Sequence, residues 1–172
     1  MIKHIKPPSR ILRTRHLLSI LIAMLLSLSI ACIYSSAAES GNDTYTISSL
    51  DEFNKFSSEV AAGDDFSGRT VELAADITGV KSPVGTYSKK FAGTFDGKGH
   101  TVDISISGTT YQGLFAYNNG TVKNLAIKGT VNGSMYGGCV TGYNNGKIES
   151  CINYASALFT GSYTGGVTGF NS

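Results

Sequence analysis

His100 is the single histidine beyond residue 38, and two carboxylates, Asp96 and Asp103, stand close to it along the chain. A histidine held by a carboxylate is the equipment of a general base. The rest of that apparatus is missing, because no serine or cysteine nearby occupies a recognisable nucleophile elbow. His100 follows directly on Gly97-Lys98-Gly99, so the expectation is a corner residue. The same Gly-Lys-Gly lacks the spacing of a phosphate loop and leads into alternating residues instead of a helix. Asp64, Asp65, Asp76 and Asp96 carry oxygen ligands of the kind Ca²⁺ takes, yet they follow neither the EF-hand loop nor the Gly-Gly-x-Gly-x-Asp pattern of calcium-binding β-rolls. Cys139 and Cys151 have no CxxC spacing. No residue is assigned a catalytic, metal-binding or cofactor role, and no cofactor is expected.

Tyrosine is the residue with binding chemistry that recurs. Gly108-Thr-Thr-Tyr111-Gln-Gly-Leu-Phe-Ala-Tyr117-Asn-Asn-Gly120 is followed by Gly133-Ser-Met-Tyr136-Gly-Gly-Cys-Val-Thr-Gly-Tyr143-Asn-Asn-Gly146. A third copy, Gly161-Ser-Tyr163-Thr-Gly-Gly-Val-Thr-Gly-Phe170-Asn-Ser172, stops inside the repeat. Tyr111, Tyr136 and Tyr163 hold one equivalent position, and Tyr117, Tyr143 and Phe170 hold another. An exposed tyrosine column offers apolar surface and a polar tip to the apolar faces and hydroxyls of sugars, whereas a buried one is only the inside of a stack. Tyr117, Tyr143 and Phe170 each follow a small residue and precede a turn, so burial is expected there. Tyr111, Tyr136 and Tyr163 are the candidate ligand contacts. Asn118-Asn119 and Asn144-Asn145, each before glycine, are expected to turn corners through left-handed backbone, with amides aligned from copy to copy.

Such residues need a scaffold that repeats as they do. Tyr117, Tyr143 and Phe170 are 26 and 27 residues apart, a period that signals stacked units. Within each unit, short runs of Val, Ile, Leu and Tyr are cut by Gly or Asn-Gly, which is strand and turn chemistry. The predicted fold class is all-β, a parallel β-helix (β-solenoid) with a short N-terminal capping helix. That helix is expected where Leu50, Phe53, Phe56 and Val60 recur at helical spacing, with Ser49 and Glu52 as a capping box and Gly63 as the stop. Thr70–Leu73 and Thr101–Ile106 alternate as strands, the second placing Val102, Ile104 and Ile106 on one face. Residues 39–107 are read as the capping helix with a first irregular coil, and residues 108–172 as the repeats, the last incomplete.

Residues 1–38 read as a signal peptide. Lys3, Lys6, Arg10, Arg13 and Arg15 form a basic start, Leu17 to Ile33 is mainly apolar, and Ser36-Ala37-Ala38 offers a cleavage site. An uncleaved anchor and a lipoprotein attached through Cys32 are the competing readings. Removing the leader leaves nine basic residues against 12 acidic ones, a net charge of −3 in place of +2. With neither a basic stripe nor a basic and aromatic patch, no nucleic acid partner is expected. Cys139 matches Leu114 and Cys151 falls at or beside the position of Leu125, so two buried thiols are favoured over a disulfide.

Phe91-Ala-Gly-Thr-Phe-Asp-Gly-Lys-Gly-His100-Thr-Val, with Gly113-Leu-Phe, Gly120-Thr-Val-Lys-Asn-Leu and Gly137-Gly-Cys-Val-Thr-Gly, resembles the GLUG-repeat proteins of bacterial surfaces. These resemble repeats found near some IgA-cleaving metalloproteases and in haemagglutinin-like adhesins. Cys139-Val-Thr and Val167-Thr depart from the Leu-Val usual in that family. The resemblance implies a surface location and no catalysis, since the linked proteases carry their zinc motif in a separate domain.

The expected function is an exported, secreted or cell-surface, non-catalytic module that acts as a stalk or an adhesin-like binder of a host surface protein or glycan. The alternative is an accessory or spacer module of a larger secreted enzyme, a peptidase or a carbohydrate-active enzyme. Membrane contact is expected only through the leader. The incomplete last repeat marks a truncated fragment or the front of a longer protein, with an open C-terminal coil through which copies could associate.

Overall fold

The computed structural model of the chain describes residues 44–172; the expected leader over residues 1–38, Cys32 included, lies outside them. Strand β1 (Thr44–Ile47) leads into helix α1 (Leu50–Ala62), then β2 (Thr70–Leu73) and β3 (Ile77–Val80). A second stretch holds β4 (Thr94–Asp96), β5 (Thr101–Ser107), β6 (Thr110–Gln112) and β7 (Phe115–Asn118). A third holds β8 (Thr121–Lys123), β9 (Ala126–Gly133), β10 (Met135–Gly137) and β11 (Thr141–Asn144). The fourth holds β12 (Lys147–Glu149), β13 (Ile152–Asn153), β14 (Ser156–Phe159) and β15 (Thr168–Asn171). The protein is thus mostly β, with one short helix among the described residues.

β1 lies parallel to β2 within the first stretch, and the remaining strands lie parallel to their counterparts in the neighbouring stretches. Four sheets result: β1-β2-β4-β8-β12, β3-β5-β9-β13 with β14 also on β9, β6-β10, and β7-β11-β15. The register matches the sequence repeat, pairing Tyr117 with Tyr143 and Tyr143 with Phe170. It also reaches back beyond the copies visible in the sequence, since Val71 pairs with Phe95 and Phe95 with Val122. Alternation along a strand turns every second side chain inward, so in-register strands line up files of apolar groups. Val71, Phe95 and Val122 form one such file, and Ile77, Val102 and Ile127 another. All six are essentially inaccessible to water, and full burial of a side chain of this size contributes about 1.5–3 kcal/mol.

Helix α1 forms where the sequence signals place it. The Ser49 hydroxyl accepts from the Glu52 amide, and Gly63 closes the helix in the left-handed region at φ 114°, donating to the carbonyls of Glu59 and Val60. The returning half of the capping box is displaced by one residue: the Glu52 carboxylate takes the Ser48 N–H at 2.7 Å and the Ser48 hydroxyl at 2.8 Å. Phe53, Phe56 and Val60 are buried. The Phe56 ring meets those of Phe66, Phe91 and Phe95 at 5.0, 5.7 and 5.9 Å, so the helix packs its apolar face onto the N-terminal end of the interior.

The expected left-handed corners lie elsewhere. Asn118 and Asn144 are extended residues at the ends of β7 and β11, and neither they nor Asn119 and Asn145 have positive φ. Outside glycine, left-handed backbone instead occurs at Lys98, Asn124 and Ser150, with φ of 53°, 52° and 49°, at Phe66 with 60°, and at three tyrosines. The aligned amides do form a ladder: Asn118 Nδ2 donates to Asn144 Oδ1, and Asn144 Nδ2 to Asn171 Oδ1, each at 2.7 Å. Those bonds between strands hold the two asparagines extended. The glycine that follows makes the tight corner, because a Cβ on Gly146 would fall on the Gly120 carbonyl and one on Gly120 on that of Gly93.

Cys139 is buried, but the register that pairs Thr141 with Phe115 sets Val140, one residue on, opposite Leu114; Cys151 is half-buried opposite Leu125, and both are free thiols. Burial pushes both thiols up from their ordinary value. Burial also fades towards the last stretch: Tyr117 is buried, whereas Tyr143 and Phe170, expected to be buried, are half-exposed. Ile152, Tyr154 and Leu158 there are 52, 70 and 67% exposed.

Candidate functional site: a tyrosine ladder and its flanking cleft

β10 lies on β6 with Met135 opposite Thr110 and Gly137 opposite Gln112. The residues between them, Tyr136 and Tyr111, stand outside that pairing with φ of 55° and 57°, and Tyr163 repeats the conformation at 60°. Left-handed backbone costs a residue with a Cβ about 1–2 kcal/mol. No local signal for it exists in the sequence, since tyrosine has none of the hydrogen-bonding that lets asparagine tolerate this region. The cost is met by packing. Tyr111 and Tyr136 stack at 4.9 Å and 6°, and Tyr136 and Tyr163 at 4.9 Å and 4°, and aromatic pairs contribute about 0.5–1.5 kcal/mol each beyond area burial. The spacing equals the rise between neighbouring strands, so the scaffold sets the ring separation.

A second column lies against the first. Tyr117 and Tyr143 stack at 4.5 Å and 15°, and Tyr143 meets Phe170 at 4.7 Å. Tyr136 is tilted against Tyr143 at 5.9 Å, and Tyr163 is edge-on to Phe170 at 5.5 Å. Backbone approach allows this. Gly142 sits where a Cβ would strike the backbones of Tyr111 and Tyr136, and Gly169 where it would strike that of Tyr136.

The ladder has a fourth member that repeat counting misses. Tyr87 belongs to the irregular segment between β3 and β4, yet its ring stacks on Tyr111 at 5.3 Å and 30° and meets Tyr117 edge-on at 5.8 Å. The only sequence signal is Gly85-Thr86-Tyr87, which echoes Gly161-Ser162-Tyr163; the rest of residues 81–90 departs from the copies. The segment is fixed by Val84 N–H donating to Leu114 O, Ala116 N–H to Val84 O, and Thr86 N–H to Lys89 O. Lys90 Nζ lies 4.2 Å over the Tyr117 ring and 5.7 Å from that of Tyr87, a cation–π contact at the ladder's N-terminal end.

Ring geometry changes what this surface can do. Tyr111 and Tyr136 each have a ring on both faces, so they present edges. The ring faces not covered by another tyrosine belong to the end members, Tyr87 and Tyr163, which are 58 and 51% exposed. Burial and the neighbouring tyrosines push the Tyr111 hydroxyl above its ordinary value, so it is a neutral donor and acceptor at physiological pH. Beside Tyr87 and Tyr111 lies a cleft of about 290 Å³ lined also by Pro83, Thr86, Thr110 and Gln112.

The other candidate residues are engaged in structural contacts. His100 Nδ1 lies 3.2 Å from Asp76, not beside Asp96 or Asp103. The Thr101 N–H and then His100 hold the Asp76 carboxyl below its ordinary value. Asp64 pairs with Arg69, Asp65 accepts from Ser67 N–H at 2.9 Å, and Asp103 lies 3.6 Å from Lys128. Burial would raise Asp96, but the Asn124 amide, the Lys98 N–H and Lys123 outweigh it and leave the carboxyl low. Asp96 borders a larger cleft of about 490 Å³ with Lys98, Asn124 and Ser150, where its oxygens are already engaged at 2.9, 3.0 and 3.4 Å. The four aspartates considered for Ca²⁺ therefore serve separate sites, and no group of three or more His, Cys, Asp or Glu among the described residues is arranged to hold a metal.

No helix among the described residues is long and apolar enough to cross a membrane. Comparison with protein-family models, with curated proteins and with solved structures finds no match.

Proposed function

We propose that the protein is an exported, non-catalytic β-solenoid module of a bacterial cell surface, whose tyrosine ladder contacts a host glycan or surface protein. The solenoid reading is supported by parallel pairing of each strand with its counterpart about 26 residues on. The surface location rests on the leader pattern and on the resemblance to GLUG-repeat proteins.

The observation that carries the binding role is the ladder itself. Three tyrosines hold equivalent left-handed positions on a partly exposed face. Backbone strain repeated at non-glycine residues is characteristic of places where a side chain must be presented in one orientation. Contact is made through ring edges and hydroxyls along the ladder and through ring faces at its ends.

The test is binding of the chain lacking residues 1–38 to immobilised host glycans and matrix proteins, beside a variant carrying Tyr111→Phe, Tyr136→Phe and Tyr163→Phe. The substitutions keep the stacks and remove the hydroxyls. Unchanged urea unfolding with binding reduced roughly tenfold, about 1.4 kcal/mol, supports the reading. Binding equal to wild type, or no binding by either protein, makes the module a spacer.

A further inference from the structure

We propose that the ligand-stacking ring of this surface is Tyr87, and that the cleft between Tyr87, Pro83 and Thr110 takes one neutral sugar ring. The inference rests on the ladder being a binding face and identifies where and what it binds. Stacking a sugar requires a free aromatic face, and the interior rings Tyr111 and Tyr136 have spent both of theirs on each other and on their neighbours at 4.9–5.3 Å. Only an end ring can supply one.

The two ends differ. Tyr163 stands at the last stretch, where β15 and β12 are bordered on one side only. Tyr87 has one face on Tyr111, is 58% exposed, and opens onto the 290 Å³ cleft. That volume is near the lower end for small-molecule sites, which run from about 300 Å³, and suits a single ring.

The lining defines the chemistry. Pro83, Ala116 and the two tyrosine rings are apolar, while Thr86, Thr110 and Gln112 supply hydroxyl and amide groups. No carboxylate, ammonium or guanidinium lines the cleft; Lys90 Nζ stands outside the lining, 5.7 Å from the Tyr87 ring centroid and 4.2 Å over that of Tyr117. A ligand that alternates C–H faces with hydroxyls matches such a wall. Gln112 is 7% exposed and its amide is fixed, Nε2 donating to Thr110 O at 2.6 Å. Its space is provided by Gly108, where a Cβ would touch the amide. The rim is thus ordered before a ligand arrives, which reduces the entropy cost of binding.

The experiment is saturation-transfer NMR and calorimetric titration of the chain lacking residues 1–38 with the methyl glycosides of glucose, galactose, mannose and N-acetylglucosamine, and with methyl glucuronide as the acidic arm. At least one neutral glycoside is expected to bind, with Tyr87→Ala weakening it about threefold to tenfold, the range that one aromatic contact carries. Tyr87→Phe keeps the face and should retain affinity, whereas Thr110→Val should lose it; Tyr154→Ala, at an exposed tyrosine outside the cleft lining, should leave it unchanged. Unfolding curves of all four variants confirm that each is folded. Insensitivity to Tyr87→Ala, binding of the glucuronide alone, or blank titrations overturn the proposal. If titrations are blank while surface binding still falls in the triple Phe variant, the cleft assignment fails and the ladder reading stands. If both are blank, both fail.

Discussion

Asn118 and Asn144 lie 26 residues apart in the chain and meet in one buried hydrogen bond, Nδ2 of the first donating to Oδ1 of the second at 2.7 Å. Asn144 passes the interaction on, its own Nδ2 donating to Asn171 Oδ1 at 2.7 Å and to Gly146 O at 3.0 Å. One side chain therefore ties three neighbouring strands together and fixes the corner that follows.

Replacing Asn144 with Ala removes all three bonds and leaves the Asn118 amide with its local contact to Gly120 O at 3.1 Å. Each bond contributes about 1 kcal/mol net, and a buried group left unpaired costs about 1–3 kcal/mol more. A loss of about 2–4 kcal/mol is expected in urea unfolding. Asn145→Ala is the control: its amide reaches Asn119 only at 3.5 Å and it is exposed, so it should change stability by about 0.5 kcal/mol or less.

The limits of reading this site from sequence show in the same residues. That Asn118 and Asn144 align was legible, since self-similarity fixes which residues are equivalent. Their backbone was not, because asparagine tolerates both left-handed and extended conformations and a contact 26 residues away decides between them. Helix α1 was legible to the residue, as Ser49 and Gly63 act on neighbours within a few positions. Tyr87 and the Asp76 partner of His100 were not: Tyr87 comes from a segment that shares only Gly-Thr-Tyr with the pattern at Gly161-Ser162-Tyr163, and Asp76 lies 24 residues before His100.

Left-handed backbone at Tyr136 makes an ordering that contact counting would not give. Tyr136→Ala and Tyr136→Gly both remove a ring stacked at 4.9 Å on two sides, and both should destabilise. Alanine keeps the conformational penalty at φ 55°, whereas glycine is free of it. The glycine variant should therefore be the more stable by about 0.5–1 kcal/mol after allowing for its greater unfolded-state entropy. Chemical denaturation of the two proteins side by side measures this, and an alanine variant at least as stable contradicts the strain at this position.

Cys139 and Cys151 both have thiols raised by burial, and the thiolate is the reactive form. In the folded chain lacking residues 1–38, labelling by a thiol-disulfide reagent at pH 7.5 should be slow for both. Cys151, half-buried with Sγ 3.3 Å from Glu149 O, should react before Cys139. Mass spectrometry of timed, quenched samples gives the order, and both should label at once in 6 M guanidinium. Rapid labelling of Cys139 in the native state would contradict its burial.

Asp96 supplies the expected response to acid. Its carboxyl accepts from Asn124 Nδ2 at 3.0 Å and Lys98 N–H at 2.9 Å, with Lys123 Nζ at 3.4 Å. These contacts outweigh burial and lower its folded-state value below the ordinary 3.8. The unfolded chain thus holds the proton more readily, so the stabilisation is complete above the ordinary value and is lost as pH falls through it to the lower folded one. Asp96→Asn abolishes this dependence while keeping an acceptor for one donor. At pH 7 the variant should be less stable by about 1.5–3 kcal/mol, the range for hydrogen bonds to a charged group. Between pH 4 and pH 2 the gap should narrow, because the wild-type carboxylate is neutralised there while Asp64, Asp76 and Glu52 titrate alike in both proteins. Urea midpoints for the pair across that interval test it, and a gap that stays constant with pH removes Asp96 as the source.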